Sequence, residues 1–256
     1  MDLGLQGKVV CITGGATGIG KASAQAFLAE GCKVAICGRS GEKLAGVVNQ
    51  WKEQGYDVIS CIADASKFEE LEAFAATVAQ QHGGIDIWIN NAGIYPQKAI
   101  LDMTDGEWDD IFRVNVKSIF LGAKVATAYM RIKGQGVILN ASSFAALIPS
   151  AGSGAYGATK AAVSSLTRTL AAELAPLNIR VIAYVPGVIR TAMTQDIITA
   201  KSQALTGQIA LGRLGEAKDV AGLLVFLASD VANYITGTTI EVSGGKFCVQ
   251  NPQAAW

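Results

Sequence analysis

Histidine is nearly missing from this chain: His82 is the single copy in 256 residues. A Ser-His-Asp or Cys-His hydrolase would have to build its base on that one residue. It stands in Gln80-Gln81-His82-Gly83-Gly84, which reads as a helix end, where a cation complements the dipole. Cysteine is sparse as well. Its five copies, Cys11, Cys32, Cys37, Cys61 and Cys248, are odd in number and show no Cys-x-x-Cys spacing. Cys11, Cys37 and Cys61 fall in strand-like runs, where a free thiol acts as a small hydrophobe. The pattern points to a reducing compartment, the cytoplasm, and to no metal site.

Charge is scarce too. Charged residues are 16% of the chain, against ~25% in ordinary soluble domains. The 21 basic and 21 acidic residues cancel, so nothing in the total draws the chain to nucleic acid or acidic lipid. A surface so poor in charge implies cover by partner subunits, and a homo-oligomer, tetramer or dimer, is expected. Residues 1–7 lack the charged and apolar regions of a signal peptide. The longest uncharged stretch, residues 134–159, is broken by glycines, serines and Pro149, so no membrane span is expected. Apolar residues are abundant, at 50%, which excludes disorder as the main character.

Short apolar runs alternate with helical patterns. Strand-like runs lie at 9–12, 34–37, 58–62, 85–89, 137–139, 179–185 and 239–242. Helical patterns cover 21–30, 42–54, the segment up to His82, 104–132, 153–175 and 217–228. Ser66 with Glu69, and Thr104 with Glu107, read as capping boxes opening two of these helices. Strands apolar on both faces, alternating with helices, imply a parallel sheet covered on both sides. A single-domain, doubly wound α/β Rossmann sheet spanning 1–256 is the simplest outcome. A (β/α)₈ barrel is the chief alternative, disfavoured by the glycine cluster after the first strand.

That cluster, Thr13-Gly14-Gly15-Ala16-Thr17-Gly18-Ile19-Gly20, lies between strand and helix, where backbone N–H groups and a helix N-terminus bind a diphosphate. Glycines suit the place because a β-carbon would block close approach. Further on come Asn90-Asn91-Ala92-Gly93, Asn115, Ser143, Tyr156-x-x-x-Lys160, and Pro186-Gly187 with Thr191. In this order and spacing, the chain resembles the short-chain dehydrogenase/reductase family over nearly its whole length.

The resemblance implies hydride transfer between a nicotinamide and a carbonyl or alcohol carbon, with Asn115, Ser143, Tyr156 and Lys160 as catalytic residues. Tyr156 and Lys160, four apart on a helix, share one face. A lysine charge about 5 Å away favours the phenolate by about 3 kcal/mol, roughly two pKa units, with burial opposing. The phenol would then exchange a proton with the substrate oxygen. Ser143, rather than the adjacent Ser142, would hold that oxygen. Lys160 would also bind the nicotinamide ribose, and Asn115 would position a proton-relay water or simply satisfy a helix kink. Gly14, Thr17, Gly18, Ile19, Gly20, Asn91, Ala92, Gly93, Pro186, Gly187, Ile189 and Thr191 would border the cofactor, and Asp64 would meet its adenine.

Cofactor choice turns on the end of the second strand. No acid lies between Glu30 and Glu42, while Arg39 and Ser40 can meet a 2′-phosphate. NADP(H) is therefore expected over NAD(H). Residues 188–215 are long enough to cover a substrate. Ile189, Met193, Ile197, Ile198 and Leu205 make the segment apolar, with Arg190, Asp196 and Lys201 facing solvent. Tyr95, Ala145, Ile148 and Met193 are pocket candidates, pointing to a neutral ketone or secondary alcohol rather than a multiply charged substrate. 3-Oxoacyl-(acyl-carrier-protein) reductases look similar, but Ala175-Pro176-Leu177-Asn178 lacks the arginine such relatives tend to carry there. A non-catalytic nucleotide-binding or scaffold protein on the same fold is the alternative from another class. The tail from Cys248 to Trp256 reads as disordered, or as crossing a subunit interface with Trp256 packed there.

Overall fold

The computed structural model describes residues 2–246, 248 and 252. Its first units are β1 (Val9–Thr13), α1 (Gly18–Ala29), β2 (Lys33–Gly38), α2 (Gly41–Glu53), β3 (Val58–Ile62), α3 (Phe68–His82) and β4 (Ile87–Asn90). Then come α4 (Asp105–Phe112), a π-helical turn (Arg113–Lys117), α5 (Ser118–Lys133), β5 (Gly136–Ala141), α6 (Gly154–Leu174) and β6 (Ile179–Pro186). The chain continues through β7 (Ile189–Arg190), α7 (Gln195–Thr206), β8 (Gly215–Glu216), α8 (Ala217–Ala228) and β9 (Thr239–Val242). Seven strands form one sheet in the order β3-β2-β1-β4-β5-β6-β9. Every pairing in it is parallel. β7 and β8 form a separate two-stranded pair.

The strands are apolar on both faces because alternate residues feed two cores. Val10, Ile12, Val34 and Ile36 pack with Phe27, Trp51 and Leu224 of α1, α2 and α8. Val9, Cys11, Ala35 and Cys37 point the other way, toward Phe74, Val78 and Met130 of α3 and α5. The sheet thus has helices on both sides, and its connections reverse direction between β1 and β4, a switch point that opens a crevice at the strand C-termini.

Several local expectations need correction. Thr104 and Glu107 form the capping box of α4, but Ser66 and Glu69 do not form one. α3 starts at Phe68 after Lys67. Ser66 instead donates its backbone N–H and its hydroxyl to Asp64 Oδ1, at 2.9 and 2.7 Å. Glu70 Oε2 takes the Asp64 N–H at 2.7 Å, closing a tight turn that outcompetes the box. The long helix over 104–132 is broken by the π turn. His82 is the last residue of α3, capped by Gly83 at φ +82°. Its side chain is buried, with Nδ1 4.0 Å from the exposed Asp57 carboxylate. Cys248 is exposed; Trp256 lies outside the described residues. Among those described, no helix is long and apolar enough to cross a membrane.

Candidate active site

Two cavities meet at the C-terminal ends of the strands. One, of about 210 Å³, runs along the glycine turn. The other, of about 590 Å³, lies under α7. Ser143, Tyr156, Gly187, Met193 and Thr194 border both.

The glycine turn is shaped by β1 and β4 together. Gly14 has φ +67°, a left-handed conformation that favours glycine. Its N–H and that of Gly15 donate to the Cys37 carbonyl at 2.8 and 3.3 Å. The Asn91 side-chain amide donates to the carbonyls of Thr13 and Gly14, at 3.1 and 3.3 Å. Thr13 Oγ1 in turn accepts the N–H groups of Asn91 and Ala92. A β-carbon on Gly20 would lie 2.3 Å from the Gly14 carbonyl oxygen and 2.7 Å from Asn91 Nδ2. Gly20 therefore keeps α1 close to the turn and does not line the cleft. Thr17, the N-cap of α1, makes no side-chain capping bond, and the first turn carries no acid. Those helix N–H groups, beside a turn rich in glycine, fit a dinucleotide diphosphate.

Gly14, Thr17, Gly18, Ile19, Asn91, Ala92 and Gly93 line the narrow cleft, facing Pro186, Gly187, Ile189 and Thr191. Arg39, Ser40 and Asp64 lie beyond it. Arg39 is exposed and belongs to no ion pair among the described residues. Ser40 caps α2, accepting the Lys43 N–H at 3.3 Å. Asp64 is held by Ser66 and lies 3.7 Å from the Arg113 guanidinium. Burial works against its ionisation, yet the Ser66 bonds and the Arg113 charge hold its carboxyl below the usual range.

α6 delivers Tyr156 and Lys160 from successive turns. The Lys160 ammonium donates to the Ala141 carbonyl at 2.8 Å and stands 5.5 Å from the centroid of the Tyr156 ring. Burial pulls Lys160 down to about 8. It pushes the Tyr156 phenol up to about 12; a hydrogen bond from Ser143 opposes this and neighbouring Tyr95 adds to it. This corrects the expectation that the lysine charge sets the phenol. In the protein alone desolvation wins, because both groups leave water and the ammonium spends its hydrogen bond on a backbone carbonyl.

Ser142 and Ser143 are told apart by their partners. Ser142 bonds the Lys160 carbonyl and Ser164 Oγ, at 3.1 and 2.8 Å, and is structural. Ser143 faces the junction of the cavities and accepts the Ala145 N–H at 3.2 Å. Asn115 sits in the π turn, fully buried. Its Oδ1 accepts the Ile94 N–H at 2.8 Å, and its Nδ2 donates to the Ile94 carbonyl at 2.9 Å and to Thr159 Oγ1 at 3.2 Å. The side chain is therefore a clamp on the loop after β4.

Tyr95, Ala145, Ile148 and Met193 line the larger cavity. Tyr95 meets the Tyr156 ring edge-on at 4.7 Å and its hydroxyl lies 3.0 Å from Ser153 Oγ. In the covering segment, Ile198 turns into a small core with Val188, Ile209 and Leu214, while Ile197 and Leu205 line the cavity. Lys201, expected to face solvent alone, also borders the cavity, where α7 kinks. Arg190 is half-exposed and pairs with Glu216 at 3.3 Å.

A family model described as enoyl-(acyl carrier protein) reductase matches residues 14–246. The chain belongs to the short-chain dehydrogenase/reductase family. It is an oxidoreductase of that family, whose members bind a nicotinamide cofactor. It is 36% identical over 241 residues to the 3-oxoacyl-(acyl-carrier-protein) reductase FabG of Thermotoga maritima, covering 94% of this chain and 98% of that one. It is also 36% identical over 244 residues to human dehydrogenase/reductase SDR family member 4, with 94% and 88% covered. A crystal structure of a short-chain type dehydrogenase/reductase from Mycobacterium marinum superposes with a TM-score of 0.91 at 35% identity, covering 96% of this chain and 97% of that one.

Sequence reasoning missed Thr194, Gln208 and Lys246. Thr194 Oγ1 accepts the Thr191 N–H at 3.1 Å and donates to the Ile189 carbonyl, locking the loop over the cleft; the Thr-x-x-Thr spacing was its only trace. Lys246, 60 residues beyond Pro186, carries no signal in the sequence for a place in the larger cavity.

Proposed function

We propose that this oxidoreductase interconverts a ketone and a secondary alcohol using NADP(H), with Tyr156 as the acid–base group. The carrying observation is that Tyr156 borders both the glycine-turn cleft and the larger cavity, so one hydroxyl serves both spaces. When bound, the nicotinamide supplies or accepts the hydride. Tyr156 protonates the substrate oxygen in reduction and takes the proton back in oxidation. Ser143 donates to the same oxygen and stabilises its developing charge. Lys160, which lines the narrow cleft, meets the cofactor ribose in this reading, and Asn115 holds the Ile94 segment that borders the reacting space.

The narrow cleft supports the cofactor set of Gly14, Thr17, Gly18, Ile19, Asn91, Ala92, Gly93, Pro186, Gly187, Ile189 and Thr191, with Gly20 acting through packing. Arg39 and Ser40 support NADP(H) over NAD(H), since an exposed guanidinium that belongs to no ion pair among the described residues suits a 2′-phosphate. Asp64, at the end of β3, supports an adenine contact. The chain reads as one domain over 1–256, with 188–215 covering the substrate. Exposed Trp108, Phe120 and Ile132 on α4 and α5 support a homo-tetramer or dimer. The free cysteines support a reducing compartment, the cytoplasm.

A panel of ketones and polyols with both nicotinamides tests this reading. Tyr156→Phe should lower turnover by about 10²- to 10⁴-fold while nucleotide titrations stay unchanged. Full turnover in that variant would end the assignment, whereas no turnover by the unaltered protein across the panel, with nucleotide still bound, would favour a scaffold whose catalytic residues are idle. A second reading, reduction of a 3-oxoacyl-(acyl-carrier-protein), is favoured by the name of the Thermotoga maritima relative. Preference for a carrier-linked thioester over small ketones would select it.

A further inference from the structure

The larger cavity has a chemical polarity that the ketone reading leaves unused. Its wall near Tyr156 is apolar, made by Phe144, Ala145, Ile148 and Met193. Lys246 and Lys201 also line the cavity, and no Asp or Glu is among the described residues that do. Neither lysine belongs to an ion pair among the described residues. Glu241, the acid nearest to Lys246 in sequence, is engaged by the Ser243 hydroxyl.

Lys246 is held in place rather than free in solvent. Its backbone N–H donates to Ser243 Oγ at 3.1 Å, and its ammonium donates to Gln208 Oε1 at 2.7 Å. The same ammonium stands 5.3 Å from the centroid of the Phe144 ring, and Phe144 follows Ser143 directly. The cation is thus about one side chain away from the residue proposed to hold the reacting oxygen. Because Gln208 accepts through Oε1, its NH₂ remains to donate beside the ammonium. An ammonium and an amide NH₂ together suit the two oxygens of a carboxylate. A phosphate dianion would call for more donors than this wall provides.

We propose that Lys246, with Gln208 beside it and Lys201 at the rim, binds the carboxylate of an oxo acid or hydroxy acid whose neutral carbonyl or alcohol reacts at Tyr156. The apolar wall accommodates the short carbon chain between the two groups. This inference rests on the oxidoreductase reading of the same site and names the substrate class. It predicts a free acid in place of a carrier-bound thioester, whose acyl end carries no charge.

The test uses the full-length protein, both nicotinamides, and oxo acids of five and six carbons, each beside its methyl ester. The acid should exceed its ester in kcat/KM by about tenfold, the equivalent of one charge-assisted hydrogen bond at a partly buried ammonium. In Lys246→Met that ratio should fall to about one, and in Lys246→Arg it should be largely kept. Equal use of acid and ester by the unaltered protein, or a preference that survives in Lys246→Met, overturns the proposal. A binding measurement separates this from failure of the oxidoreductase reading. Calorimetric titration should show hexanoate binding more tightly than hexanamide, with the difference lost in Lys246→Met. If no oxo compound turns over yet hexanoate shows that pattern, the carboxylate site stands and the reaction is wrong. Indifference to the charge in titration sinks the site itself.

Discussion

The Lys160 ammonium and the Tyr156 ring stand one helical turn apart, 5.5 Å from nitrogen to ring centroid, and the ammonium bonds the Ala141 carbonyl rather than serving the phenol alone. Burial moves the two groups in opposite directions, Tyr156 up to about 12 and Lys160 down to about 8. Burial makes each charged form costlier than in water, so the site carries an electrostatic penalty in its charged lysine.

That penalty has a stability signature. Below about pH 8 the ammonium is charged in both folded and unfolded chains, and the folded chain bears the desolvation. Between about 8 and the ordinary lysine value of 10.5 only the unfolded chain holds the proton, so stability rises with pH across this window. Lys160→Met should therefore gain stability relative to the parent protein as pH falls from 10 to 7, offset by the cost, about 1–3 kcal/mol, of leaving the Ala141 carbonyl without its donor, while abolishing turnover. Denaturant midpoints at pH 7 and pH 10 check it: the gain should shrink at the higher pH.

Gly20→Ala should weaken nucleotide binding although alanine is the better helix former by roughly 1 kcal/mol. The added carbon would sit 2.3 Å from the Gly14 carbonyl oxygen, forcing α1 away from the turn. A fluorescence titration with NADPH should show affinity reduced by about tenfold or more, equivalent to 1.4 kcal/mol. Unchanged affinity would mean that the close approach is not needed.

Asn115→Ala should destabilise by about 1–3 kcal/mol, because the partly buried Ile94 N–H and carbonyl lose their partners. The loop after β4 should loosen, so kcat should fall with the urea midpoint. A normal kcat in a variant with the expected midpoint loss would confine Asn115 to a structural role.

Arg39→Asp should shift cofactor preference from NADPH toward NADH. Replacing this exposed cation by an acid would remove the proposed partner of a 2′-phosphate and add repulsion against it. The ratio of kcat/KM for the two nucleotides should change by about tenfold or more. An unchanged ratio would transfer the choice to other residues.

Much of the architecture was legible in the chain. Residues such as Val9, Val10, Cys11 and Ile12 are apolar in unbroken succession because each strand faces a core on either side, and the structure assigns alternate members to the two cores. Thr104-x-x-Glu107 worked as a local signal because both partners lie within one turn. Ser66-x-x-Glu69 had the same pattern and failed, since Asp64 two residues earlier offered Ser66 a nearer acceptor. The narrow cleft follows the motifs closely because its glycines and amides act through backbone geometry at strand ends. The larger cavity does not, because Lys201, Gln208 and Lys246 converge from distant segments whose spacing encodes nothing about the wall they share.

Local pattern and spacing determined the alternating strands and helices, the glycine turn, and the presence of Tyr156 and Lys160 on one helical face. Tertiary structure alone decided which way the protons lean at that face, which partners hold each of the adjacent serines, and where Lys201 and Lys246 meet a cavity. The physical reason is range: backbone propensities and one-turn neighbours are written in consecutive residues, whereas desolvation and cavity walls depend on how many distant atoms exclude water from the same place.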